Sequence, residues 1–178
     1  HRPEDLPTLL DGVDFVFHLA GINRPQDPQE FYRGNADLTQ ALAQAVRTRS
    51  ATTGQLPGIV FASSTQATRD NDYGKSKRLG EDALRSLALE KLASVHLFRL
   101  PNVFGKWCRP NYNSAVATFC HNTARDLPIQ INDPSAALTL VYVDDVVRHF
   151  IQLMDGATVA MDADGFAQVH PQYTTTVG

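Results

Sequence analysis

Apolar and polar positions fall into blocks whose lengths favour strands and helices in turn. Residues 59–62 form a short apolar run, and residues 13–20, closed by Gly21, and 95–100, stopped by Pro101, are mostly apolar blocks of similar character. Runs of this length, rich in β-branched and aromatic residues, predict strands buried in a sheet. Between the first two, residues 31–49 place Leu38, Leu42, Ala45 and Val46 at helical spacing, and a Thr- and Gly-rich stretch over 48–58 predicts a linker. A second helical pattern begins near Tyr73 and runs through Leu79, Ala83, Leu84 and Leu87 to about Leu92. Strand, helix, strand, helix, strand is the order of an α/β, doubly wound parallel sheet.

The flanks are less regular. Residues 1–12 predict a short helix or turn, and residues 101–114 a long polar loop. Residues 114–125 return to helical spacing through Val116, Phe119 and Ala124. Residues 127–131 predict a small strand and 138–143 another, running into Asp144 and Asp145 at the start of a helix that reaches about Met154. Acidic residues at a helix start are ordinary capping and dipole chemistry. Beyond Asp155 the pattern fades into a loop or an edge strand.

Composition narrows the function classes. The 178 residues are 43% hydrophobic and 20% charged, with a formal charge of -3. That is an ordinary globular balance without the basic footprint of a nucleic-acid binder. No apolar run approaches the roughly 18 residues of a membrane span, and no signal peptide opens the chain, so a cytoplasmic protein is expected. Cys108 and Cys120 lack zinc-ligand spacing and predict two free thiols.

The candidate chemistry lies where the second strand ends. Ser63, Ser64 and Thr65 close that strand, and Tyr73 and Lys77 follow on one face of the next helix. A tyrosine, with a reference pKa of about 10, needs roughly 4 kcal/mol of help from a neighbouring cation to exchange protons near neutrality. A serine at the strand's end is placed to hydrogen-bond the same reacting oxygen. His18, inside the first strand, predicts a packed core histidine.

Ser64 with Tyr73 and Lys77 resembles the Ser/Thr and Tyr-x-x-x-Lys centre of the extended short-chain dehydrogenase/reductase superfamily. Other segments match in the family's order: residues 18–21, Asn35 ahead of Leu38 and Thr39, residues 99–105, and residues 142–145. The resemblance implies a Rossmann-like sheet, with residues 1–105 a partial NAD(P)-binding domain and 106–178 a small, incomplete substrate-binding region. By the same resemblance Ser64, Tyr73 and Lys77 are catalytic. Leu19, Ala20, Gly21, Asn35, Leu100, Asn102 and Val103 then join Tyr73 and Lys77 around the cofactor.

Residues 20–25, 63–67 and especially 104–114, together with the short path from Ser64 to Tyr73, resemble a narrower group, the capsular-polysaccharide reductases of 4-keto nucleotide sugars. That group implies NADPH-dependent reduction (NAD remaining possible) of the C4 ketone of a UDP-2-acetamido-2,6-dideoxyhexulose in UDP-N-acetyl-L-fucosamine biosynthesis. It also implies a homodimer paired through residues 35–48 and 73–91, and a C-terminal cupin domain. Arg24, Thr65, Gln66, Asn102, Arg109 and Asn113 become substrate-binding candidates. For Arg24 and Asn102 an ordinary loop role stays open, as plain packing does for Trp107. A nucleotide-sugar epimerase or dehydratase and a catalytically silent relative are the alternatives. Thr65-Gln66 stand where a dehydratase carries acidic residues. No Gly-rich phosphate loop is present in the chain, so the resemblance places it upstream of His1.

Overall fold

The computed structural model describes residues 3–178, which form two compact units. The first runs through Arg99 and takes in Met161–Ala167; the second comprises Leu100–Ala160 and Gln168–Gly178.

In the first unit a short 3-10 turn, Pro3–Asp5, leads into α1 (Leu6–Leu9) and then β1 (Phe15–His18). The chain continues through α2 (Gln29–Phe31), a π-helical stretch Tyr32–Asp37, and α3 (Leu38–Thr53). Then come β2 (Gly58–Ser64), α4 (Asp72–Leu89) and β3 (Ser94–Leu100). The strand order is β1-β2-β3, and β1 runs parallel to β2 with Phe15 opposite Gly58 and His18 opposite Phe61. Parallel neighbours require a crossover, which α3 supplies. Leu42, Val46, Ile59, Phe61, Leu84, Leu87 and Leu97 form the core between helices and sheet.

β1 is shorter than the expected 13–20. Its ladder with β2 ends at His18, and Leu19 and Ala20 beyond it are exposed. α3 is longer than expected, running into the predicted linker as far as Thr53. Thr52 and Thr53 donate their hydroxyls to the carbonyls of Thr48 and Arg49, and Gly54 ends the helix in the left-handed conformation at φ 71°. The π stretch has a visible cause. A Cβ on Gly34 would come within 2.4 Å of the Ile22 side chain, so the glycine lets the loop after β1 press onto the helix at a point of low helix propensity.

In the second unit β4 (Asn102–Phe104) lies parallel to β5 (Ala137–Tyr142), which is antiparallel to β6 (Gln172–Thr176). β4 falls inside the stretch expected to be loop, and β6 is the expected edge strand. α5 (Ala115–Thr123) is capped by Ser114, whose hydroxyl accepts from Ala117 N at 3.2 Å. α6 (Val143–Met154) carries Asp144 and Asp145 in its first turn, where they pair with Lys106 at 3.0 Å and Arg148 at 2.9 Å rather than capping. The predicted strand over 127–131 does not form. Leu127, Ile129 and Ile131 are exposed, and Asn122 instead holds the segment by donating to Pro128 O at 2.9 Å. Among the described residues no helix is long and apolar enough to cross a membrane.

Candidate active site

Two segments build the site in the first unit. β2 ends at Ser64, whose hydroxyl accepts from Gln66 N at 3.2 Å and starts the 3-10 turn Thr65–Thr68. Asn71 then caps α4, accepting from Gly74 N at 2.8 Å, so the helix begins immediately before Tyr73. Gly74 is required there: a Cβ would meet the Arg69 and Gln66 carbonyls at 2.4 and 2.6 Å. Gly74→Ala, which raises helix propensity, is therefore expected to destabilise the protein by about 1–3 kcal/mol, seen as a lowered Tm.

Ser64 and Tyr73 meet through their side chains, and the Tyr73 ring packs edge-on to Phe31 with centroids 5.5 Å apart. Burial raises the Tyr73 pKa, and the hydrogen bond with Ser64 pulls weakly the other way. This corrects the expectation that Lys77 depresses it. Lys77 points its ammonium at Ala62 O, 2.9 Å away, and over the Phe61 ring at 4.6 Å. Burial lowers the Lys77 pKa to about 8, partly opposed by Glu81. Tyr73 is thus a protonated phenol at neutral pH, the state a proton donor needs.

Behind these residues lies a buried polar chain. Asn35, in the π stretch, accepts from Ile22 N at 2.8 Å and donates to Ile22 O at 3.2 Å and Ser76 Oγ at 3.0 Å. Ser76 in turn donates to Tyr73 O at 2.8 Å. The Thr39 hydroxyl gives its proton to Asn35 O at 2.6 Å, so His18 Nε2 is the donor in its 2.7 Å contact with Thr39. His18 is the core histidine expected, 7% exposed and stacked on Phe61 at 5.0 Å.

Burial, then the Lys77 charge, lowers the His18 pKa to about 4. The unfolded chain therefore binds the extra proton between pH 6.5 and 4. Folding stability is complete above that window and falls as pH drops through it, by up to about 3 kcal/mol. Denaturant midpoints at pH 6.5 and 4.5 test this, and His18→Gln should flatten the slope.

The remaining candidates are placed as follows. Leu19, Ala20, Gly21 and Arg24 are exposed in the segment after β1; Thr65 and Gln66 are exposed after β2. The parallel ladder puts both segments on one edge of the first sheet, the carboxyl edge where ligands bind in α/β folds. In the second unit Leu100 and Val103 are half-buried, and Asn102 donates to Thr139 O at 3.2 Å. Arg109 lies 5.6 Å from the Tyr112 ring, Asn113 is exposed, and Trp107, 94% exposed, is not packing. Sequence reasoning missed Glu81, and it named Ser63 and Arg99 only as parts of a strand end and a matched segment, without a place in this neighbourhood. The signal for Glu81 was its place four residues beyond Lys77.

A nucleotide-fold sheet with a serine, a protonated tyrosine and a buried lysine at its carboxyl edge defines a class. The profile of the NAD dependent epimerase/dehydratase family matches residues 2–160, and this chain belongs to that family. Among individual proteins, it is 55% identical over 174 residues to the UDP-2-acetamido-2,6-beta-L-arabino-hexul-4-ose reductase of Pseudomonas aeruginosa, covering 98% of this chain and 45% of that protein. It is 25% identical over 151 residues to the ceramide reductase of Caulobacter vibrioides, covering 84% of this chain and 43% of that one. The chain thus spans less than half the length of these relatives.

The capsular polysaccharide assembling protein CapF of Staphylococcus aureus superposes with a TM-score of 0.75 at 38% identity, over 98% of this chain and 45% of that one. The UDP-glucuronic acid 4-epimerase of Bacillus cereus, at 19% identity and a TM-score of 0.79 over 99% of this chain and 60% of that one, shares the fold.

Proposed function

We propose that this chain carries the catalytic residues of an NADPH-dependent reductase acting on the C4 ketone of a UDP-2-acetamido-2,6-dideoxyhexulose, on the route to UDP-N-acetyl-L-fucosamine and a capsular or other surface polysaccharide. One observation carries the reading. A hydroxyl pair, Ser64 with a protonated Tyr73, sits at the carboxyl edge of the sheet in a chain 55% identical to a hexul-4-ose reductase.

The first unit fits a nicotinamide cofactor. A Cβ on Gly21 would fall 2.9 Å from Asn35 Oδ1 and 3.6 Å from Lys77 Nζ, so the glycine keeps the exposed strip of residues 19–21 beside the lysine open. Leu19, Ala20, Gly21, Asn35, Tyr73 and Lys77 would hold the group there. When bound, the dihydronicotinamide supplies the hydride that carbon 4 of the sugar accepts.

The chain's own residues do the rest. Tyr73 gives its phenolic proton to the C4 oxygen as negative charge develops on it, and Ser64 donates a hydrogen bond to the same oxygen. Ser64 then favours the phenolate left on Tyr73 until solvent returns the proton, while Lys77 serves the cofactor side of the site. In the first unit Arg24, Thr65 and Gln66 are the substrate-binding candidates; in the second, taken by itself, they are Asn102, Asn113 and Arg109, whose guanidinium offers a bidentate fork to a phosphate. Family resemblance supports a cytoplasmic homodimer.

The test is NADPH oxidation by the full-length protein supplied with the UDP-linked 4-keto-6-deoxy sugar. Cofactor consumption matched by a 4-hydroxy product is expected. Cofactor binding without consumption contradicts the reading and favours an epimerase.

A further inference from the structure

Three consecutive residues at the end of β2 are each held by α4, at successive turns of one helix face. Ser64 meets Tyr73, Ala62 O accepts from Lys77, and the Ser63 hydroxyl donates to Glu81. Tyr73, Lys77 and Glu81 are spaced i, i+4 and i+8, which aligns them along the helix. Tyr73 and Lys77 have roles in the proposed reaction, and Glu81 so far has none.

Yet Glu81 is the most firmly held of the three. It is 2% exposed, and Arg99 donates to its two carboxylate oxygens at 3.0 and 2.7 Å. Phe166 covers the guanidinium at 3.8 Å, leaving the Glu81 side chain 3% and the Arg99 side chain 22% exposed. A buried ion pair is a poor way to gain stability, because apolar residues of similar size serve as well. What a carboxylate adds here is a directed acceptor for Ser63 and a negative charge one turn from Lys77.

Resting on the reductase reading above, we propose that Glu81, anchored by Arg99, is a positioning residue for the reaction. It fixes Ser63, and through the intervening planar peptide the Ser64 hydroxyl, in register with Tyr73. It also holds Lys77 in its charged form. The groups facing Lys77 leave this task to Glu81. From β1 comes His18, which is neutral at pH 7; from β2, the Ala62 carbonyl and the Phe61 ring; and from the π stretch, the uncharged Asn35. Burial drives Lys77 toward neutrality and Glu81 opposes it.

The experiment compares full-length wild type, Glu81→Gln and Ser63→Ala. Two readouts are used: the pH profile of kcat, and the titration of Lys77 by NMR of 13C-labelled lysine, which needs no turnover. Glu81→Gln is expected to lower kcat about tenfold with the sugar KM within about twofold. It should also move both the alkaline limb of kcat and the Lys77 titration down by about one pH unit. Ser63→Ala should lower kcat several-fold and leave the lysine titration in place.

A folded Glu81→Gln enzyme whose lysine titration and alkaline limb match wild type overturns the proposal. If that variant does not fold, Ser63→Ala decides, and a kcat within twofold of wild type overturns it. A folded wild type that reduces no keto sugar defeats the reductase reading instead, and the Lys77 titration still decides the role of Glu81.

Discussion

Tyr73→Phe in the full-length enzyme is expected to cut kcat by about 10²–10⁴-fold, the range lost when a positioned general acid is removed. The fold should not notice. The hydroxyl's partner is Ser64, while the edge-on packing against Phe31 is kept by phenylalanine. The Tm should therefore stay near wild type as turnover collapses, which separates loss of a proton from loss of a structure. A variant retaining more than about a tenth of the activity would contradict Tyr73 as the acid.

The largest stability effect is expected at Arg99. In Arg99→Ala the Glu81 carboxylate, with its side chain 3% exposed, loses both charge-assisted bonds and has only the Ser63 hydroxyl left. Breaking a buried pair from one side costs about 3–5 kcal/mol, because the remaining charge stays buried. The stacking on Phe166 is lost as well. With a urea slope of about 1–3 kcal/mol/M, the midpoint should fall by more than about 1 M. Arg99→Lys keeps the charge but not the planar fork and should lie between the two. A shift of a few tenths of a molar in Arg99→Ala would show that water already reaches Glu81.

The strands and helices of the first unit were legible because their burial is periodic. Ile59, Val60 and Phe61 are buried on both faces of β2, as Leu97 and Phe98 are on β3, and Leu42, Val46, Leu84 and Leu87 mark the inward faces of their helices. The pairing of Ser64 with Tyr73 was equally readable, since a strand end and a helix start nine residues apart leave little freedom.

What escaped the sequence was settled by tertiary partners. β4 follows a proline that reads as a stop, and it exists because β5 offers a parallel edge. Residues 127–131 have strand composition but no partner in the ladders described, so they stay out of the sheet. The end of α3 looked like linker because its threonines bond backward onto the helix only once the helix exists. The Tyr73 pKa was misjudged for the same kind of reason: helical spacing brings Lys77 near, but Ala62 O and the Phe61 ring claim the ammonium. Glu81 and Arg99 come from different elements, and no local pattern joins them.

The central claim is that a hydride and the Tyr73 proton arrive together at one ketone. It is tested most directly by incubating the full-length enzyme with the UDP-linked 4-keto sugar and NADPH deuterated at the transferred position. The account predicts deuterium at carbon 4 of a reduced sugar, with one cofactor oxidised per product. Sugar recovered as a rearranged ketone or an epimer, with no deuterium at carbon 4 and the cofactor still reduced, would contradict it.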